Sequence, residues 1–176
     1  MPLPCPKPWL SPRRRLLPRL CASALVLAAC SRGGLPPSLP SPLLGRALPA
    51  LERTTTGACI DRAKLQGRVV VVKFFADYCK PCEWTLPKAQ RLHESLPEVV
   101  FVGVSLDERR TTLESLLRRH VLTFPIIHDR AKRVAGRFRV TELPITFVVD
   151  RQGTIRWVGG PDHPESDLER ALDSLL

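Results

Sequence analysis

Apolar positions along the chain follow two alternating periods. Val69-Val70-Val71-Val72-Lys73-Phe74-Phe75 is an almost unbroken β-branched and aromatic run, which predicts a strand buried on both faces. Ala89, Leu92 and Leu96 then share one face of a predicted helix over 83–96, in which Pro87 is expected to produce a kink. Residues 99–104 (Val-Val-Phe-Val-Gly-Val) predict a second buried strand. Thr111 and Glu114 have the spacing of a capping box ahead of Leu113, Leu116, Leu117 and Val121, which recur at helical intervals. Residues 125–128 predict a short strand, and Ala131, Val134, Ala135 and Phe138 a further helical stripe. Two final strands, 145–149 and 154–158, flank Asp150-Arg151-Gln152-Gly153, which reads as a hairpin turn. Ser166 and Glu169 form a second expected capping box, before Leu168, Leu172, Leu175 and Leu176.

The predicted order is β-α-β-α-β-α-β-β-α. It implies an α/β fold with a central mixed sheet, parallel in its first part, closed by an antiparallel hairpin and covered by helices on both faces.

Ahead of this domain the composition changes. The chain has 176 residues and a formal net charge of +10, which would suggest a nucleic-acid partner if it were spread evenly. Half of it belongs to the first thirty residues, where Lys7, Arg13, Arg14, Arg15 and Arg19 stand without any Asp or Glu. Nucleic-acid binding finds no supporting aromatic motif elsewhere. The basic stretch precedes an apolar run, Leu20 to Ala29, too short to span a bilayer of about 30 Å as a helix. It reads as the hydrophobic region of a signal peptide over 1–29. Leu27-Ala28-Ala29-Cys30 resembles the lipobox of bacterial lipoproteins, in which Cys30 would be acylated and become the first mature residue; a plain secretory signal cut near Ala29 and an uncleaved N-terminal anchor are the alternatives. All three place the domain outside the cytoplasm. Residues 30–50, with five prolines and three glycines, are expected to form a semi-extended tether, leaving 51–176 as the folded domain.

The candidate chemistry lies between the first strand and the first helix, at Cys79-Lys80-Pro81-Cys82. Two Cys spaced this way at a helix start can close a small disulfide ring or expose a thiolate to the positive helix end. That end is worth about 0.3–1 kcal/mol to an anion, which leaves room for other tuning groups. The same spacing is half of a zinc site, but Cys59 stands alone and His93, His120, His128 and His163 lack ligand spacing, so no metal or other cofactor is expected. Cys59 is expected to be a small buried hydrophobe. Arg130, Lys132, Arg133, Arg137 and Arg139 gather near one predicted helix and are expected to form a solvated face; a patch for an acidic partner or anionic lipid is the alternative.

Phe74-Phe75-Ala76-Asp77-Tyr78-Cys79-Lys80-Pro81-Cys82, Pro87, and the stretch Glu142-Leu143-Pro144-Ile145-Thr146-Phe147-Val148-Val149-Asp150 with Gly153 together resemble the thioredoxin superfamily. The likeness is strongest to its membrane-tethered TlpA/ResA-like thiol-disulfide oxidoreductases, and covers roughly residues 55–176. It implies a thioredoxin-like three-layer sandwich. It also implies that Cys79 is the catalytic nucleophile and Cys82 the resolving thiol of a redox-active disulfide. Pro144 would be a cis-proline, with the Leu143 backbone binding substrate and Tyr78 shielding one side of the pair. Lys73, Lys80 and Pro81 are the candidates for tuning the thiols. Lys73 stands where thioredoxins carry a buried Asp, and Thr85 where some ResA-like reductases carry Glu, so proton handling differs; Lys73 is expected either to be buried near the pair or to snorkel to the surface.

The resemblance further implies disulfide-bearing protein substrates, possibly apocytochrome c during its maturation, a membrane electron donor of the DsbD/CcdA type, and a lipid-anchored place in the periplasm. Two alternatives stand beside it. A peroxiredoxin-like thiol peroxidase would need a Thr shortly before a single reactive Cys, which Phe75-Ala76-Asp77-Tyr78 lacks. A tethered copper metallochaperone would want wider Cys spacing and a distant His.

Overall fold

The computed structural model describes residues 34–60 and 62–176. A short helix α1 (Arg62–Leu65) leads into β1 (Val70–Phe75), α2 (Cys82–Ser95), β2 (Val100–Ser105), α3 (Arg110–His120), β3 (Ile126–His128), α4 (Arg133–Arg137), β4 (Ile145–Val149), β5 (Ile155–Gly159) and α5 (Glu165–Asp173). The five strands form one sheet in the order β3-β2-β1-β4-β5. β1 runs parallel to β2, and β2 to β3, while β4 is antiparallel to both β1 and β5. The mixed α/β sheet expected from the sequence is therefore present.

β1 is buried along its whole length and has a strand on each side, as its continuous apolar run requires. Successive side chains leave opposite faces, so Val70, Val72 and Phe74 enter one core and Val71 and Phe75 the other. The first core includes Val134, Ala135 and Phe138 of the α4 region; Phe74, Phe138 and Phe147 meet there with ring centroids 5.0 to 5.8 Å apart. The second core lies under α2, α3 and α5, and holds Leu86, Leu113, Leu116, Trp157 and Leu172. Three layers result, with helices split as the crossovers dictate: α2 and α3 link parallel neighbours on one face, and α4 returns across the other.

Three expectations need correction. The capping boxes do not form: α3 starts at Arg110 behind an extended Arg109, α5 starts at Glu165 behind Pro164, and neither has a side-chain cap bond. The chain enters each helix before the expected cap residue, which leaves Thr111 and Ser166 inside the first turn. Pro87, where a kink is expected, lies inside α2, which runs on to Ser95.

The third correction concerns the tether. Residues 34–50 form a strap along β5. Leu39 N–H donates to the Val158 carbonyl at 2.8 Å, Ile155 N–H to the Arg46 carbonyl at 2.8 Å, and Leu48 N–H to the Gly153 carbonyl at 2.8 Å. The indole of Trp157 donates to the Pro37 carbonyl at 2.9 Å. Leu48 is buried, and Leu39, Leu43 and Leu44 pack against the first core. Proline and glycine exclude helix here, but they do not exclude irregular pairing with an open sheet edge. On the opposite edge Thr55 N–H donates to the Ile126 carbonyl at 2.7 Å, so N-terminal segments cover part of both edges.

Because the strap is part of the core, Leu48→Ala is expected to cost about 2–3 kcal/mol in urea unfolding. A free tether would leave the midpoint unchanged.

Candidate functional site

The site forms where β1 ends. Its register against β4 pairs Phe74 with Ile145, which brings the preceding Leu143-Pro144 bond level with the end of β1. That bond is cis, as the resemblance implied, and Pro144 is buried. From Phe75 the chain turns through Ala76 to Tyr78 and enters α2. Cys82 N–H donates to the Cys79 carbonyl at 2.9 Å and Glu83 N–H to the Lys80 carbonyl at 3.1 Å, closing the turn around the motif.

Cys79 and Cys82 are joined as a disulfide, with Cα atoms 5.3 Å apart. Cys82 is 1% exposed and Cys79 6%, so the first sulfur of the pair is the more accessible. Both sit at the N-terminal end of α2, where the helix dipole favours negative charge. Beside them opens a cleft of about 700 Å³, lined by Tyr78, Cys79, Lys80, Leu106, Lys132 and Leu143 among others. Tyr78 is exposed at its edge. Thus Tyr78, Cys79, Lys80, Pro81 and Leu143 meet at one opening.

Lys73 is buried and does not snorkel to the surface. It has the strand parity of Val71 and Phe75, which places it on the sheet face that carries the cysteine pair, and its Nζ donates to Thr146 Oγ1 of β4 at 3.3 Å. Cys59 departs from expectation: it is half-buried with a free thiol, and lines a separate cavity of about 530 Å³. The histidines are dispersed. His93 packs edge-on against Phe101 and Phe124, His128 Nε2 meets the Asp107 carbonyl, and His163 Nδ1 accepts from Gly160 N–H. Cys30 lies outside the described residues.

Two supports were not anticipated from sequence. Asp107, buried just past β2, accepts the Asp77 N–H at 3.0 Å and the Ser105 hydroxyl at 2.8 Å, which fixes the turn two residues before Cys79. Arg119, near the end of α3, reaches Asp77 Oδ1 with one guanidinium nitrogen and Glu83 Oε1 with the other, both at 2.6 Å. The hydrogen bond that Arg119 donates to Asp77 and the charge of Glu83 raise the Arg119 pKa above its ordinary value. His120 Nε2 lies 3.1 Å from the second Glu83 oxygen. Arg119 thereby ties the residue two before Cys79 to the one after Cys82, and neutralises the carboxylates on both flanks of the disulfide. An Asp at the C-terminal end of a strand beside the chain's switch point is a signal that sequence could have offered for Asp107; Arg119 had none.

A thioredoxin-like sandwich with a cysteine disulfide at a helix start, facing a cis-proline, defines the thioredoxin-fold class of dithiol proteins. Residues 44–158 match the AhpC/TSA family model, and the chain belongs to that family, on its TlpA/ResA-like branch. It is 31% identical over 112 residues to the thiol-disulfide oxidoreductase ResA of Geobacillus kaustophilus, covering 62% of this chain and 64% of that protein. With ResA of Halalkalibacterium halodurans it shares 30% over 121 residues, covering 68% and 69%. The match therefore spans just under two thirds of the first relative's length. The structure is also similar to that of a secreted Mycobacterium tuberculosis disulfide oxidoreductase homologous to E. coli DsbE, with a TM-score of 0.61 and 25% identity over 70% of this chain and 92% of the other.

Removing the Arg119 charge leaves two carboxylates beside the reduced Cys79. Arg119→Gln is therefore expected to lower the reduction potential of the pair, by on the order of 10 mV, in glutathione redox buffers. Asp77→Asn should shift it the other way.

Proposed function

We propose that the protein is an extracytoplasmic thiol-disulfide oxidoreductase that reduces disulfides in other proteins through Cys79 and Cys82. The observation that carries this reading is the bonded pair at the start of α2, with Cys79 opening onto the cleft beside cis-Pro144. The likeness to proteins named thiol-disulfide oxidoreductase supports it.

In the reduced protein the Cys79 thiolate attacks one sulfur of a substrate cystine. A Cys79–substrate disulfide forms and the other substrate sulfur leaves as a thiolate. Cys82, deprotonated, then attacks Cys79 and expels the second substrate thiolate. The substrate gains two electrons and the Cys79–Cys82 disulfide closes. A dithiol donor of the DsbD/CcdA type, embedded in the membrane, returns the pair to the reduced state. The shallow burial of Cys79 and deeper burial of Cys82 suit this order of attack, since only the first thiol has to meet a foreign disulfide. The Leu143 backbone would hold the substrate strand, with Tyr78 lining the same opening. The haem-binding cysteine pair of apocytochrome c is the substrate this reading favours, in cytochrome c maturation. The signal peptide and lipobox add a diacylglyceryl anchor on Cys30, which holds the domain in the periplasm at a bacterial membrane.

Cys79→Ser should abolish insulin reduction, by at least about 100-fold, while Cys82→Ser should accumulate mixed disulfides that thiol reductant releases. In acid-quenched cells alkylated at their thiols, a mostly reduced pair fits the reductase; a mostly oxidised pair would make it an oxidase. Radiolabelled palmitate should enter the full chain and be lost in Cys30→Ala; label retained in that variant would remove the anchor from this reading.

A further inference from the structure

The charges around the disulfide divide into two groups. On the α3 side, Asp77 and Glu83 are already neutralised by Arg119. On the cleft side, Lys80 and Lys132 line the opening, and Arg130, Arg133 and Arg139 surround α4 next to it. All five are exposed, and none of their side chains forms an ion pair among the described residues. Arg137, on the same helix, is engaged by Glu52 at 3.2 Å. Among the described residues, Glu142 is the one carboxylate lining the cleft. Between these cations the cleft wall is apolar, from Leu106, Ala135, Val140 and Leu143.

We propose that this cleft selects protein substrates whose attacked cystine is flanked by acidic residues, the apolar wall taking the extended strand and the cations of the turn and of α4 taking its carboxylates. The proposal rests on the dithiol exchange set out above. It commits to an acidic polypeptide because Lys80 and Lys132 line the same cleft as Cys79, where a substrate chain has to lie during attack, and the three arginines stand on or beside the helix that forms its wall. A flat lipid surface would not require them at the reacting sulfur. Exposed charges of this kind contribute mainly through steering and orientation, and so act on the second-order rate.

The test uses the reduced full chain and synthetic peptides that share one cystine loop and differ only in flanking residues: Asp, Asn or Lys. Each exchange rate is divided by that of the same peptide with dithiothreitol, which removes the peptide's own reactivity. At low salt the Asp peptide is expected to react about five-fold faster than the Asn peptide, and the Lys peptide slower. The preference should collapse near 1 M salt, where the screening length falls to about 3 Å. Lys132→Gln combined with Arg139→Gln should remove most of it, and the salt series on the unaltered protein reads the same preference without any substitution. Equal rates for the Asp and Asn peptides overturn the inference and leave the oxidoreductase reading intact. Exchange with none of the peptides overturns both. Loss of the preference on adding phosphatidylglycerol vesicles, with the Asn rate unchanged, assigns the cations to lipid and overturns it as well.

Discussion

The burial of β1 on both faces is the constraint on which the rest of the molecule depends. A strand with parallel β2 on one side and antiparallel β4 on the other can end at only one place, the point where the sheet changes direction. At that point neighbouring connections diverge and leave an opening. The chain fills it with the turn that carries Cys79 and starts α2 at Cys82. The β4 register brings Pro144 to the same level from the other direction, 65 residues later in the sequence. Without the almost unbroken apolar run at Val70–Phe75, the two halves of the site would have no common reference.

Much of this was legible in the sequence because it is local. Strand and helix periods were read from residues within a turn or two of each other, and the hairpin at 150–153 from its own turn chemistry. The disulfide spacing and the proline before β4 were also visible. What escaped detection depends on distant partners. Asp107 bonds across 30 residues and Arg119 across 36 and 42, so no window of the sequence contains both ends. The strap failed for a different reason. Its prolines and glycines argued against regular structure, and they were right, but Leu39, Leu43, Leu44 and Leu48 gave four apolar anchors whose burial outweighs the lack of a helix or strand. The expected capping boxes were overridden by how the chain leaves β2 and enters α5.

Lys73 shows how packing can settle a question that composition leaves open. A lysine can keep its stem in a core and its charge in water when an edge is near. Here it lies on the central strand, with β2 and β4 on either side and helices over the face it enters, so no short path to solvent exists. The lysine that stands where thioredoxins carry a buried Asp therefore places an amine, not a carboxyl group, inside the sheet. It donates to a β4 hydroxyl two residues from the cis-proline, which links the strand that leads into the cysteine turn to the strand that follows the proline.

The strap also sets a distance. Leu35 already packs against the second core, five residues after Cys30, a span of at most roughly 18 Å when fully extended. With the acyl anchor proposed at Cys30, that bound is about half the width of a domain of this size. The domain would patrol a thin layer against the bilayer, and its encounters with donor and substrate would become nearly planar searches, favouring clients that are themselves held to the same surface.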